Sequence, residues 1–242
     1  MNKIVLSSDI AVTFIDSMGN DARLAMAAWA SKGLDEGVRR ATEKADDIPL
    51  LLRYLMKHKH GTPFEAAALQ FSVRAPIFVW REWHRHRIGF SYNEESARYK
   101  TLDPEFYVPS RERPMMKVDG WKPGRPKFTR CDDDAVYDRL LANLTDDYQS
   151  SYDHYIENLE MGIDPGLARD GLNVGIYSSC WVTTNPRSVM HFLGLRTHEP
   201  AANHPSYPLH EIDAAARKVE EKFKELFPIT HAAFVENGRE AP

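Results

Sequence analysis

The sequence lacks the features that would tie it to a membrane, to nucleic acid or to an oxidising compartment. It holds only two cysteines, Cys131 and Cys180, among 242 residues. Two thiols so placed make neither a disulfide framework nor a cysteine metal motif, and a reducing, cytoplasmic setting is expected. No apolar run approaches the roughly 20 residues that span a bilayer. The opening Met1-Asn2-Lys3-Ile4-Val5-Leu6 is too short an apolar run for a signal peptide, and Asp9 follows it. Positive charge is not in excess either. The net charge of -4 argues against general binding to nucleic acid or an anionic membrane surface. Internal repeats and low-complexity segments are missing as well. With 43% hydrophobic residues, the composition is that of an ordinary globular protein, long enough for one large domain or two small ones.

Periodicity predicts the elements coarsely. Ile10 to Ile15 alternates like a strand, and Ala68 to Val73 does so with Leu69, Phe71 and Val73 on one face. Asp21 to Lys32 and Ile48 to His58 read as helices, the second broken by Gly61-Thr62-Pro63. Pro76 is placed to open a helix that runs to His86 and turns basic at its end, which puts the Arg85–Arg87 triplet near a helix C-terminus or in the loop after it. Pro109 to Asp134, rich in Pro, Gly and charge, reads as a loop or insertion within one domain. Ala135 to Leu159 is a long polar helix. Asn185-Pro186 starts another, with Asn as cap and Pro at the first helical position. A Pro-rich loop over Thr197 to Pro208 leads to an amphipathic helix, Leu209 to Leu226.

Chemistry is concentrated in the fifteen residues from Arg85 to Tyr99. Arg85-His86-Arg87 is followed by Ile88, Asn93, Glu94, Glu95, Ser96, Ala97 and Arg98. Arginine offers a planar fork for phosphate or carboxylate, and Asn93 can both donate to and accept from a heterocycle edge. A helix C-terminus by itself favours cations. It does not account for an amide, carboxylates, a hydroxyl and a further cation in the same stretch. A ligand carrying phosphate and a heteroaromatic ring would.

This run resembles the signature of the flavin-dependent thymidylate synthases: Arg-His-Arg, usually seven residues, then Ser, with Asn-Glu inside and Arg-Tyr following. Here eight residues separate Arg87 from Ser96, the extra one falling at Gly89-Phe90. His60-Gly61-Thr62-Pro63-Phe64-Glu65 is similar to the family's Thr-Pro-Phe-Glu segment, with Ala66 where a histidine is usual. Glu82 stands where the family often has Gln. A carboxylate there is unfavourable beside a phosphate and has to face the base. Asn185 to Arg196 resembles the second motif, Asn-x-Arg to Leu-Arg, with His191 in place of a frequent Asn. Arg169, sixteen residues before Asn185, matches a nucleotide-phosphate arginine. His204 is the best counterpart, displaced by an insertion, of the histidine that follows the catalytic arginine.

The resemblance implies an α+β fold, a single domain over 1–242 with a mostly antiparallel central sheet packed by helices, and a homotetramer with shared active sites. It implies reductive methylation of dUMP to dTMP, with methylenetetrahydrofolate as carbon donor, FAD as hydride carrier and NADPH as reductant. Flavin contacts fall to Thr62, Glu65, Arg85, His86, Arg87, Ile88, Asn93, Glu94, Asn185, Arg187, His191 and His204. Nucleotide contacts fall to Glu82, Arg85, Glu94, Ser96, Ala97, Arg98, Arg169 and Arg196. Arg196 is the catalytic residue, and no metal is required.

Three observations on the residues themselves stand beside this. Arg187 and Arg196 are nine residues apart, which at about 100° per residue puts them on opposite sides of a helix. Either the helix ends before Arg196, or the two serve sites assembled with different subunits. Cys131 lies in the acidic run Arg130-Cys131-Asp132-Asp133-Asp134, a poor setting for a nucleophilic thiolate, and Cys180 reads as a buried structural thiol. Ser96 has no base-and-orienter pair beside it and reads as a ligand-binding hydroxyl. Two competing classes are weighed: a metal-dependent nucleotide hydrolase using His58, His60, His198, His204 and His210, whose spacing matches no standard zinc site, and a non-catalytic nucleotide-binding module.

Overall fold

The computed structural model describes residues 3–120 and 122–242. Met1 and Asn2 of the opening run, and Trp121 of the 109–134 segment, lie outside the described residues. In chain order the elements are β1 (Val5–Ser7), β2 (Ala11–Met18), α1 (Asp21–Trp29), α2 (Leu34–Glu43), α3 (Ile48–Lys57), β3 (Ala68–Pro76), α4 (Ile77–Trp83), β4 (Phe90–Glu94) and β5 (Glu105–Tyr107). There follow β6 (Met116–Lys117), β7 (Phe128–Thr129), α5 (Asp134–Glu160), α6 (Pro165–Ala168), β8 (Tyr177–Thr184), α7 (Pro186–Arg196), α8 (His210–Leu226) and α9 (Pro228–Glu236). The fold is α+β and mainly antiparallel. A four-stranded sheet has the order β2-β3-β8-β4; β1 pairs with β5 in parallel, and β6 with β7 antiparallel. Among the described residues no helix is long and apolar enough to cross a membrane.

The chain divides into two compact units, with the divisions falling within β2, β3, β4 and β8 and at the end of α4. The first comprises residues 3–11, Val73–Trp83 and Asn93–Cys180. Its core gathers Ile4, Ala97, Leu102, Phe106 and Ile176 against Tyr148, Tyr152 and Tyr155 of α5. These tyrosines recur at helical spacing and bring hydroxyls into the apolar interior. The hydroxyls satisfy loop backbone: Tyr152 donates to the Leu102 carbonyl at 2.8 Å, and Tyr155 accepts from the Leu102 amide at 3.2 Å. Buried backbone groups need such partners, so α5 holds in place the loop that follows Ser96 and Arg98. Buried Trp80 serves α4 in the same way, its indole donating to the carbonyls of Ala75 (3.1 Å) and Ser178 (3.2 Å).

The second unit comprises Val12–Ser72, His84–Tyr92 and Trp181–Pro242. Asn20 caps α1 by accepting from the Arg23 amide at 3.0 Å. The next residue, buried Asp21, caps a different helix: its carboxylate accepts from the amides of Ile229 (2.9 Å) and Thr230 (3.0 Å) and from the Thr230 hydroxyl (2.6 Å). A negative charge at a helix N-terminus meets both unpaired amides and the helix dipole.

Several boundaries differ from those expected. Pro76 ends β3 instead of opening the helix, and α4 stops at Trp83, three residues short of the expected end; of the two placements expected for Arg85-His86-Arg87, the loop after the helix is the one observed. The Tyr92 hydroxyl donates to the His86 carbonyl at 2.6 Å, taking an acceptor that a continuing helix would need. Beyond the triplet, Phe90–Glu94 forms β4, a strand that was not anticipated. Two helices were not anticipated. Half of the residues of α2 are charged, and it carries Glu36–Arg39 and Glu36–Arg40 pairs at 2.8 and 2.5 Å. α9 is apolar on several faces.

Asp21→Ala is expected to lower the unfolding free energy by about 3 kcal/mol, because three donors at a buried helix start lose a charged acceptor. Urea titration of the purified variant measures it; a loss below about 1 kcal/mol would remove Asp21 from this role.

Candidate active site

In the second unit the 84–92 loop rests against the start of α7. Asn185 caps that helix, its Oδ1 accepting from the Ser188 amide at 2.9 Å, with Pro186 at the first helical position. Gly89 (φ 68°) faces this end so closely that a Cβ on it would stand 2.0 Å from Ser188 Oγ and 2.6 Å from Asn185 Nδ2. The loop is held further along by aromatic contacts: His86 meets buried Phe192 edge-on at 5.0 Å, and Phe90 lies 6.0 Å from the same ring.

That seat brings His86 to Arg196. Arg196 Nε donates to His86 Nε2 at 3.0 Å. Burial, and after it the guanidinium of Arg196, holds His86 down at about 4 from an ordinary 6.5. At neutral pH His86 is therefore an uncharged acceptor that orients the arginine without adding negative charge. α7 runs through Arg196, so the alternative of a helix ending earlier is excluded. On the opposite side of α7, Arg187 pairs with Glu65 at 2.6 Å and donates Nε to the Pro242 carbonyl at 2.9 Å. Gly61 of the Gly-Thr-Pro-Phe-Glu segment is buried under that guanidinium, where a Cβ would fall 2.4 Å from Arg187 Cζ. Arg85, Arg87 and Thr62 are exposed, and Ile88 is 88% exposed. Cations, the Asn185 amide and an open apolar side chain form a donor set suited to a ligand with phosphates and a flat ring.

In the first unit a cleft of about 410 Å³ is lined by Arg81, Glu94, Glu95, Ala97, Arg169 and Ser178, among others. Glu94 and Glu95, at the end of β4, are tied to β8. The Ser178 hydroxyl donates to Glu94 Oε1 at 2.6 Å, the Ser179 amide donates to Glu95 Oε1 at 2.7 Å, and Lys100 pairs with Glu95 at 3.0 Å. The turn after them is closed by Ser96, whose hydroxyl accepts from the Arg98 amide at 3.3 Å and whose carbonyl accepts from the Tyr99 amide at 2.9 Å. Ala97 is buried, while Arg98 and Arg169 are exposed. The cleft therefore presents arginines and carboxylates together.

Other expected residues are dispersed. Glu82 is half-buried on α4, and Asn93 is exposed on β4. His204 lies in a separate cleft of about 320 Å³ with Lys59, His191 and Glu240, its Nε2 3.4 Å from Glu240 Oε1. Ser178, Ser179 and Lys100, which hold the two glutamates, were not anticipated. Nor was Pro242 beside Arg187. A serine in a strand gives no local sign of a carboxylate 84 residues away.

Both cysteines are buried. Burial first, and Glu94 next, push the Cys180 thiol up to about 12. Cys131 donates to the Asp133 carbonyl at 3.4 Å. Two histidines of the hydrolase alternative are engaged elsewhere: the His58 ring lies tilted against Tyr54 at 4.3 Å, and His198 lies 5.0 Å from the Tyr207 ring with Nδ1 2.6 Å from the Ser206 carbonyl. Among the described residues, no group of three or more His, Cys, Asp or Glu side chains is placed to hold a metal ion.

Comparison with known proteins agrees with the sequence motifs. The family model described as thymidylate synthase complementing protein, Thy1, matches residues 13–229. A flavin-dependent thymidylate synthase of Streptomyces coelicolor is 41% identical over 240 residues, covering 99% of this chain and 96% of that protein. One from Tropheryma whipplei is 43% identical over 192 residues, covering 79% and 78%. Two crystal structures of the UMP/dUMP methylase PolB from Streptomyces cacaoi, bound with 5-Br UMP and 5-Br dUMP, superpose with TM-scores of 0.88 and 0.89 at 37% and 38% identity. Each match covers 99% of this chain and 100% of the other. The match is nearly end to end in sequence and in fold, and the chain belongs to the family of flavin-dependent thymidylate synthases.

Proposed function

We propose that this enzyme methylates dUMP to dTMP, with methylenetetrahydrofolate donating the carbon and NADPH as reductant, in a cytoplasmic homotetramer with shared active sites. The single observation that carries the catalytic assignment is the Arg196–His86 contact. A guanidinium oriented by a neutral imidazole is pre-aimed and keeps its charge for a developing anion. FAD, when bound, supplies hydride transfer. The chain's part is to bind, orient and stabilise charge.

Flavin is assigned to Thr62, Glu65, Arg85, His86, Arg87, Ile88, Asn93, Glu94, Asn185, Arg187, His191 and His204. The mutual clamp of Glu65 and Arg187 presets the arginine's direction and lowers the entropy lost on binding phosphate. The nucleotide is assigned to Glu82, Arg85, Glu94, Ser96, Ala97, Arg98 and Arg169, with the arginines supplying charge-assisted bonds to its phosphate. Arg196 is assigned to the pyrimidine, where it stabilises negative charge arising on the ring. Arg187 and Arg196 point to opposite sides of α7, which fits sites completed by different subunits. A nucleophilic cysteine has no place in this scheme: Cys180 holds its proton too tightly to attack a pyrimidine at neutral pH.

Four outcomes test the proposal. Purified enzyme should be yellow, bleach with NADPH, and release tritium from C5 of labelled dUMP when folate is present. Arg196→Ala should cut that release about 100-fold or more while flavin stays bound, and unchanged turnover would take Arg196 out of catalysis. The double variant Cys131→Ala/Cys180→Ala should keep most of its activity; complete loss in folded protein would restore thiol chemistry. For pH, His86 has its folded value below its unfolded one, so its share of stability is full above 6.5 and lost as pH falls towards about 4. The wild-type thermal midpoint should therefore decline through that window more steeply than that of His86→Asn. Parallel curves would contradict the buried neutral histidine.

A further inference from the structure

Ser178 belongs to neither motif of the family resemblance, yet it is 2% exposed and donates its hydroxyl to Glu94 Oε1 at 2.6 Å in the first unit's cleft. Its backbone is fixed independently, because its carbonyl accepts from the buried Trp80 indole at 3.2 Å. The donor therefore sits on a strand tied at this residue by a contact that does not involve the glutamate. Hydroxyl-to-carboxylate bonds of this length are charge-assisted and about twice as strong as neutral ones.

The cleft's chemistry sorts its ligand. Arg81 and Arg169 offer only donors, and Glu94 and Glu95 only acceptors. A carboxylate repels phosphate but accepts from a sugar hydroxyl. Glu95 is already committed to the Ser179 amide and to Lys100. Glu94 takes one hydroxyl bond from Ser178 and, with about four acceptor sites on a carboxylate, keeps capacity for a ligand donor.

We infer that Ser178 is a positioning residue, which holds Glu94 to accept from the sugar hydroxyl of a nucleoside monophosphate in this cleft. The inference rests on the nucleotide reading proposed above. Ser178 acts through Glu94 and touches no reacting atom. Without it the glutamate has several rotamers to choose from, and binding of the hydroxyl loses its preset acceptor.

The test compares flavin-loaded wild type, Ser178→Ala and Ser178→Thr, using dUMP and 2′,3′-dideoxyuridine monophosphate, which lacks the 3′-hydroxyl. Ser178→Ala should raise KM for dUMP about tenfold with kcat within about twofold, and Ser178→Thr should restore KM by returning the hydroxyl. For the dideoxy nucleotide, affinity measured by calorimetry should be the same in all three proteins. An unchanged KM for dUMP in Ser178→Ala would overturn the inference. So would an equal loss for both nucleotides, which would mark a general structural role, as would a thermal midpoint that falls in Ser178→Ala and is not restored by Ser178→Thr. If wild type binds neither nucleotide, the nucleotide reading itself fails; if wild type binds dUMP and Ser178→Ala binds it equally well, only the role of Ser178 fails.

Discussion

Gly89 has no room for a side chain. Its backbone lies in the left-handed region, and a Cβ would overlap Ser188 Oγ at 2.0 Å at the capped end of α7. The second unit's candidate site depends on this close approach. It brings the 84–92 loop down on Phe192, puts His86 within hydrogen-bonding distance of Arg196, and leaves Arg85, Arg87 and Ile88 on the open side. Any other residue would strain the backbone and push the loop off the helix. The family resemblance puts the residue that makes this chain's spacing eight instead of seven at this same turn.

Four of the candidate charged groups are aimed by a partner before any ligand arrives. Arg196 is oriented by a neutral imidazole, Arg187 by Glu65 and a backbone carbonyl, Glu94 by a serine hydroxyl and Glu95 by an amide and a lysine. The partners differ in kind, and the difference has consequences. A carboxylate beside an arginine fixes it while cancelling part of its charge. An imidazole kept neutral by burial fixes it and cancels none. Between the two arginines of α7, the second arrangement suits electrostatic catalysis and the first suits binding.

The helices over Ile48–Lys57, Asp134–Glu160, Pro186–Arg196 and His210–Leu226 were legible because capping residues and a 3.6-residue period are local signals. Those over Leu34–Glu43 and Pro228–Glu236 were not. One carries only a thin apolar stripe, Leu34 and Val38, among charged residues that pair along its own surface, and the other is apolar on several faces. Pro76 misled because proline is acceptable both at the first turn of a helix and at the end of a strand. The strand over Phe90–Glu94 was masked by its own chemistry, with Asn93 and Glu94 reading as loop-forming polarity.

The amino-acid sequence by itself determined the family, the two arginine-bearing motifs and the opposed directions of Arg187 and Arg196, because these depend on residue type, spacing and helix geometry alone. Only the tertiary structure decided which groups hold which. Ser178 meets Glu94 across 84 positions, Arg196 meets His86 across 110, and Asp21 caps a helix 208 residues away. Such pairings arise where a sheet or a packed helix brings distant segments within 3 Å, and no local pattern encodes that approach. The state of His86 was decided there too, since burial against α7 and Arg196, not the residue type, moves it away from its ordinary titration range.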